Sequence, residues 1–394
     1  MSAGPVHTGA VGTGTVETGL EHLAADGFAQ LKGCAVAVLT HPAAILPDAT
    51  HAVEALLRGG VEIRALLGPE HGFRGSAQAG FSESETVDAA TGIPVVDTYL
   101  ADVPEVAARL AELGADTVVV DLQNSGSRFY TYESSMYDAI GAAATAGARV
   151  VVLDRPNPIG GVAVDGPVLD PAYASFVGRA PIAVRHGMTM GELARLFAQL
   201  LAAPEPDVVP MRGWRRAMLF AQTGLPWVPP SPNLPTPDSA LCYPGTCLFE
   251  GTDVSEGRGT TTPFELLGAP WIDATLAREL RAAQLPGVAV REAYFSPVAG
   301  LHAEAGCCGV QLHVTDPLTF DPLRVALHML TSIQRHWPER LGFREQSFDL
   351  LCGSSRIREA VLVGAGADEI ADSWREEAAR FRADRGPHLV YELE

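Results

Sequence analysis

The first two hundred residues alternate between two hydrophobic periods. Four short runs, CAVAVLTH (34–41), VEIRALLGPEH (61–71), DTVVVDLQ (116–123) and ARVVVLDRP (148–156), are rich in Val, Ile and Leu. Continuous apolar runs of this length suit parallel strands covered on both faces. Between them, ATHAVEALLRGG (49–60), VPEVAARLAELG (103–114) and SSMYDAIGAAATAG (134–147) space their apolar residues at helical intervals. Two of these run into glycine directly before the next strand, as a helix C-terminus does. Repeated β-α-β-α predicts a Rossmann-like, doubly wound α/β sheet that is mainly parallel.

Further along, Thr189 and Glu192 in TMGELARLFAQLL form a Ser/Thr-x-x-Glu capping box, which gives Glu192 a structural duty. The segment GLPWVPPSPNLPTPDSALCYPG (224–245) is proline-rich enough to read as an extended connection. Beyond it, VAVREAYF (288–295) and CCGVQLHV (307–314) read as strands. Helices are expected at 273–284, at 321–336 with Asp321 as N-cap and Pro322 at the first helical position, and at 367–383. The expected organisation is a domain over 25–228 followed by a smaller α+β domain over 229–394.

Composition narrows the class. Among 394 residues, 28 Lys+Arg stand against 47 Asp+Glu, a net charge of −19. A duplex or single-stranded backbone would be repelled, so nucleic acid is excluded as a general partner. The 47% apolar content and 40 glycines are those of a globular chain. No apolar stretch approaches the ~18 residues of a membrane span. The start shows neither a basic n-region nor an apolar h-region, so a cytoplasmic location is expected. Six cysteines form no CxxC pair and no zinc spacing, and free buried thiols are the expectation. Nothing in the sequence sets an oligomeric state.

In an open α/β sheet, ligands bind beyond the carboxyl ends of the strands. Those ends here read THPAA, GPEHGFRG, DLQNSGSRFYTY and DRPNPIGG. They bring His41, Glu70, His71, Arg74, Asp121, Gln123, Asn124, Arg128, Asp154, Arg155 and Asn157 towards one crevice. A structural reading competes for several. Asp121 and Asp154 could pair with Arg128 and Arg155, His71 could bond a backbone carbonyl, and one of Tyr130 and Tyr132 could be core. A second cluster, LFEGTDVSEGRGTTTPFE (248–265), sets Glu250, Asp253, Glu256 and Arg258 among glycines and threonines, the texture of a binding loop. There is no P-loop, nucleophile elbow, GxGxxG after a strand or HExxH, so neither cofactor nor metal is expected. Carboxylates, arginines, amides and aromatics without a cofactor match the handling of a polar, anionic small molecule such as a sugar.

Taken together, PEHGFRG (69–75), DLQNSGSRFYTY (121–132), VLDRPNPIGG (152–161), FVGRAPIAVRHGMTMGELA (176–194), PSPNLPT (230–236), YPGTCLFEGTDVSEGRGTTTPFELLGAPW (243–271) and FDLLCGSSRIREAV (348–361) resemble the exo-β-N-acetylmuramidase family of glycoside hydrolases. The resemblance spans nearly the whole chain. It implies a cleft between two domains and release of N-acetylmuramic acid from the non-reducing end of β-1,4-linked peptidoglycan fragments. It implies catalytic roles for Glu70 and Glu256, with Glu70 the expected general acid and Glu256 facing it. His186, Asn233 and Glu250 join the expected substrate contacts, with His71, Arg74, Asp121, Gln123, Asn124, Arg128, Tyr130, Asp154, Arg155, Asn157 and Arg258. The family pattern has Asp where this chain has Asn124, which cannot ionise but still hydrogen-bonds. The lactyl carboxylate of muramic acid would suit a clamp by Arg74, Arg128, Arg155 or Arg258. An amino-sugar binder without turnover, and a hydrolase of another acidic sugar, are the competing readings.

Overall fold

The computed structural model describes residues 15–82 and 86–392. The reading of the first fourteen residues as lacking a leader therefore falls outside the described residues.

The strands are β1 (Ala35–Thr40), β2 (Glu62–Gly68), β3 (Val95–Asp97), β4 (Thr117–Asp121), β5 (Arg149–Leu153), β6 (Asp165–Val168), β7 (Ala183–Arg185), β8 (Asp207–Val209), β9 (Leu266–Ala269), β10 (Val288–Phe295) and β11 (Cys307–Val314). Six of them form one parallel sheet in the order β3-β2-β1-β4-β5-β8. The four long apolar runs are its four central strands, as their composition requires. The short strands β3 and β8 edge the sheet with three residues each, too few to carry a periodic signal.

Strand alternation splits the sheet into two cores. Val36, Val38, Leu66, Val119, Val151 and Leu153 face α1 (Gly19–Ala25) and α2 (Ala52–Arg58). Ala37, Leu39, Leu67, Val118, Val120 and Val152 face α3 (Val103–Glu112), α4 (Thr131–Ala146) and α5 (Met190–Leu200). Both faces are covered, which is why these strands read as unbroken apolar runs. The Thr189–Glu192 capping box is formed at the start of α5.

The second sheet is antiparallel, in the order β10-β11-β9. The runs read as strands at 288–295 and 307–314 pair end to end, from Val288 opposite Val314 to Phe295 opposite Cys307. Against this sheet and the first domain's helical face pack α6 (Pro237–Thr246), α7 (Thr275–Ala282) and α8 (Pro322–His336). Tyr243, Leu267, Val310 and Leu327 share one continuous core with Val118 and Ile140. All six cysteines are free thiols and five are buried. No helix among the described residues is long and apolar enough to cross a membrane.

Two expectations are corrected. The proline-rich segment is not extended to its end, because it closes in α6. Thr236 caps that helix, Pro237 occupies its first position, and Pro244 lies inside it. A proline at the first position loses no bond, since that N–H has no helical acceptor. The expected helix at 367–383 is two, α11 (Ala367–Asp372) and α12 (Arg375–Asp384), after α9 (Glu345–Cys352) and α10 (Arg356–Leu362), two helices not anticipated. The break lets Trp374 bury its ring and donate its indole N–H to Asp165 at 2.9 Å.

The crossing of α6 and α8 depends on Gly245, where an added Cβ would lie 1.9 Å from the Pro322 carbonyl oxygen. Overpacking of this kind typically costs about 1–3 kcal/mol. Gly245→Ala is expected to lower unfolding stability by at least that amount in a urea titration, whereas Gly364→Ala, with open space around its Cβ position, should lose only its left-handed backbone preference.

Candidate active site

The carboxyl ends of β1, β2, β4 and β5 lie along one edge, because all four strands are parallel. Four of the expected groups pair there instead of facing solvent. Asp121, the last residue of β4, takes Arg155 in a two-pronged ion pair, Nε to Oδ1 at 2.5 Å and an Nη to Oδ2 at 3.1 Å. Asp154 accepts four hydrogen bonds: from the Arg155 and Gly191 amides and from the Thr189 and Tyr391 hydroxyls. Burial raises the Asp154 carboxyl to about 6 despite these donors. Arg128 is 1% exposed and donates to the carbonyls of Pro167, Ile182 and Leu351.

The amides behave similarly. Gln123 donates to the Asn124 and Pro156 carbonyls, and both Asn124 and Asn157 donate to the Met188 carbonyl. His186 is fully buried; its Nδ1 accepts from the Met188 amide and its Nε2 lies 3.5 Å from Glu133. Burial takes that imidazole down to about 3 and pushes the Glu133 carboxyl up, each shift disfavouring the charged form of its group in the core. Arg74 is held by Asp88 through three contacts of 2.9–3.2 Å. Its guanidinium is therefore committed, contrary to the expectation of a free clamp. These residues build the frame behind the cleft.

The cleft itself is made by three segments. After β2 the chain turns through Pro69–Gly72 with His71 at φ 73°, a left-handed conformation unusual for a residue with a Cβ. The His71 Nδ1 lies 3.0 Å from the Ala77 carbonyl, and its main-chain N–H bonds to Phe81. The loop thus folds back on itself and leaves Glu70 half-buried. Its Oε1 accepts from the Gly80 amide at 2.6 Å and its Oε2 from the Thr131 hydroxyl at 2.7 Å. Thr131 is the first residue of α4, the second segment.

The third segment follows α6. Arg258 lies between two carboxylates, an Nη 2.5 Å from Glu250 Oε1 and its Nε 3.2 Å from Glu256 Oε1, and its guanidinium stands over the Phe264 ring. Glu250, Arg258 and Glu70 line a lobe of about 490 Å³, together with Thr131, Tyr99, Phe129 and Tyr243. Arg258 and Ala79 also line an adjoining lobe of about 1020 Å³, which holds Asn233, Phe81, Thr260 and Thr261. Glu256 is only 5% exposed. It stands behind Arg258, so the carboxylate on the wall shared with Glu70 is Glu250. Burial, reinforced by the Glu250 charge and opposed by Arg258, raises the Glu256 carboxyl to about 7.

Of the residues expected at the site, Glu70, Asn233, Glu250 and Arg258 line this cleft, and His71 and Glu256 stand directly behind. Tyr130 is buried beneath it, edge-on to Tyr132 and Tyr243. Thr131 and Tyr243 were missed although both lie inside quoted motifs. A hydroxyl or phenol carries no signal until its neighbours are known. Phe176, which opens the quoted motif at 176–194, was missed in the same way, and Tyr99, its ring centroid 5.3 Å from that of Phe176, lies in no quoted motif.

A Rossmann-like sheet thus opens on a two-lobed cleft with carboxylates on two segments and an arginine beside them, a lining suited to a polar, anionic small molecule. The chain belongs to the exo-β-N-acetylmuramidase family: the model of its N-terminal domain matches residues 36–238 and that of its C-terminal domain residues 241–391. Over 380 residues it is 42% identical to the peptidoglycan β-N-acetylmuramidase NamZ of Bacillus subtilis, covering 95% of this chain and 91% of that protein. Two crystal structures of DUF1343 family proteins from Bacteroides fragilis share the fold. One superposes with a TM-score of 0.87 at 33% identity, covering 96% of this chain and 99% of the other. The second gives 0.76 at 31%, covering 97% and 100%.

The raised Glu256 carboxyl has a measurable consequence. Between its ordinary value of 4.5 and about 7 the native state holds a proton that the unfolded state has released. Stability contributed in this way falls as pH rises through that window. In Glu256→Gln the decline in unfolding free energy from pH 5 to pH 8 should be shallower than in the unaltered protein. Identical slopes would show that Glu256 does not titrate there.

Proposed function

We propose that the two-lobed cleft is the active site of an exo-acting glycosidase that removes N-acetylmuramic acid from the non-reducing end of β-1,4-linked peptidoglycan fragments. The observation that carries the reading is the convergence of Glu70, Glu250 and Arg258 on one lobe, in a chain of the exo-β-N-acetylmuramidase family.

Cleavage needs a proton for the glycosidic oxygen and stabilisation of positive charge at the sugar's anomeric carbon. Glu70 is the proposed general acid. Its two partners are compatible with proton delivery, because a threonine hydroxyl that donates to the carboxylate can turn and accept from the protonated form. The Gly80 amide holds the other oxygen throughout. Arg258 is the proposed reader of the lactyl carboxylate at the junction of the lobes. Glu250 and Glu256 fix its guanidinium, and Glu256, the second catalytic carboxylate implied by the family pattern, acts on the cleft through it.

With Glu256 protonated, the Glu250–Arg258–Glu256 group is neutral; once Glu256 ionises it carries one negative charge. An anionic sugar is then repelled, so KM for a muramide should rise as pH passes about 7. Glu256→Gln should flatten that rise.

Action inside the cell on recovered wall fragments is part of the proposal, supported by six free thiols that suit a reducing compartment. Fractionation that finds the protein mainly outside the membrane would overturn it. The main test is release of nitrophenol from a β-N-acetylmuramide compared with the β-N-acetylglucosaminide. A site built around a charged group rejects an analogue that leaves it unpaired, so turnover of the muramide should exceed that of the glucosaminide by about 10²-fold or more. Equal rates would remove the lactyl reading. Glu70→Gln should lower kcat by ~10²–10⁴-fold with an unchanged melting curve. Near-normal turnover would take the proton donor away from Glu70.

A further inference from the structure

The first turn of α4 sends three successive side chains to three places. Thr131 reaches Glu70 in the cleft at 2.7 Å. Tyr132 donates its phenol to the Pro230 carbonyl at 2.9 Å, and Glu133 lies in the core 3.5 Å from His186. The helix is therefore pinned on two sides away from the cleft, and its first residue has little freedom to move. Tyr130, the N-cap, makes no side-chain cap.

A threonine inside a helix normally returns its hydroxyl to the carbonyl one turn earlier. At the first helical position no such carbonyl exists, and the Thr131 hydroxyl is left free to serve another partner. Its β-branched side chain also restricts rotation about χ1. Both properties hold a hydroxyl at one point in space.

Glu70, by contrast, follows a strand on a loop whose next residue is in a left-handed conformation. Its only other side-chain hydrogen bond among the described residues is from the Gly80 amide, which belongs to the same loop. Thr131 is thus the contact that ties the Glu70 carboxyl to the rigid body of the domain. It is also a group able to donate to the ionised form and accept from the protonated one.

We propose that Thr131 is a positioning residue for Glu70, aiming the carboxyl at the glycosidic oxygen and remaining bonded to it before and after proton transfer. The proposal rests on the reading of Glu70 as the general acid. It makes Thr131→Val, equal in shape but unable to bond, the informative change. Hydrogen bonds to charged groups are worth enough that kcat should fall about 10- to 100-fold. KM for the nitrophenyl muramide should stay within about twofold, because the glycone contacts remain. Thr131→Ser should restore most of the loss.

The test is steady-state kinetics on the muramide for the unaltered protein, Thr131→Val, Thr131→Ser, Glu70→Gln and the Thr131→Val/Glu70→Gln pair, with melting curves for each. The expected result is a kcat effect in Thr131→Val that serine rescues and that vanishes in the Glu70→Gln background, since positioning a group that is absent gains nothing. Unchanged kcat in Thr131→Val would overturn the proposal. So would an equal further loss in the double variant, or a loss in kcat explained by a lowered melting temperature. Failure of the unaltered protein to cleave the muramide would instead sink the functional reading. Normal turnover by Glu70→Gln would sink the assignment of Glu70.

Discussion

Buried charge at the carboxyl edge of the parallel sheet is the constraint on which the rest of the structure turns. β4 and the loop after β5 place Asp121, Asp154 and Arg155 where water cannot reach them, and an unpaired charge in such a place is strongly destabilising. Asp121 with Arg155, and Asp154 with four donors from three parts of the chain, meet that demand. Tyr391, close to the C-terminus, is one of those donors. Glu192 adds Arg216 and the amides of Val390 and Tyr391. Val390 and Tyr391 are thereby held against the first domain.

Once the edge is pinned, the loops above it have few options. The turn after β2 lies over the paired groups and offers Glu70 outward, and α4 begins where β4's continuation is held by the Arg128 contacts to three carbonyls. The second domain then brings its own charged group, Glu250–Arg258–Glu256, to the opposite wall. One guanidinium between two carboxylates is an excess of negative charge, and the buried member, Glu256, answers by holding its proton to about 7. The same group supplies the positive charge nearest the lobe that holds Glu70.

The continuous core between the sheet's helical layer and α6, α8 and β11 makes this geometry a property of the whole chain. Residues separated by more than a hundred positions, such as Thr131 and Arg258, are placed relative to one another by packed apolar side chains.

The sequence by itself determined the parallel sheet, because strands covered on both faces must be apolar throughout and helices between them must not. It determined the capping box at Thr189 and the Asp321 cap of α8, which are local hydrogen-bond patterns. It also determined the motifs that mark the family and, within them, Glu70, Glu250 and Arg258. What only the tertiary structure decided is which polar residue of a motif faces the cleft and which is used up in holding it. Arg74 and Arg258 look alike as arginines among glycines. Asp88, fourteen residues from the first, holds its guanidinium away from both lobes, while Glu250 and Glu256 hold the second at the wall that the two lobes share. Asp154, Arg128 and His186 likewise read as site residues until their partners, lying 35 to 237 positions away, are in place. Charge and hydrogen-bonding capacity are written in a residue's type, but whether they are already spent depends on neighbours that only folding supplies.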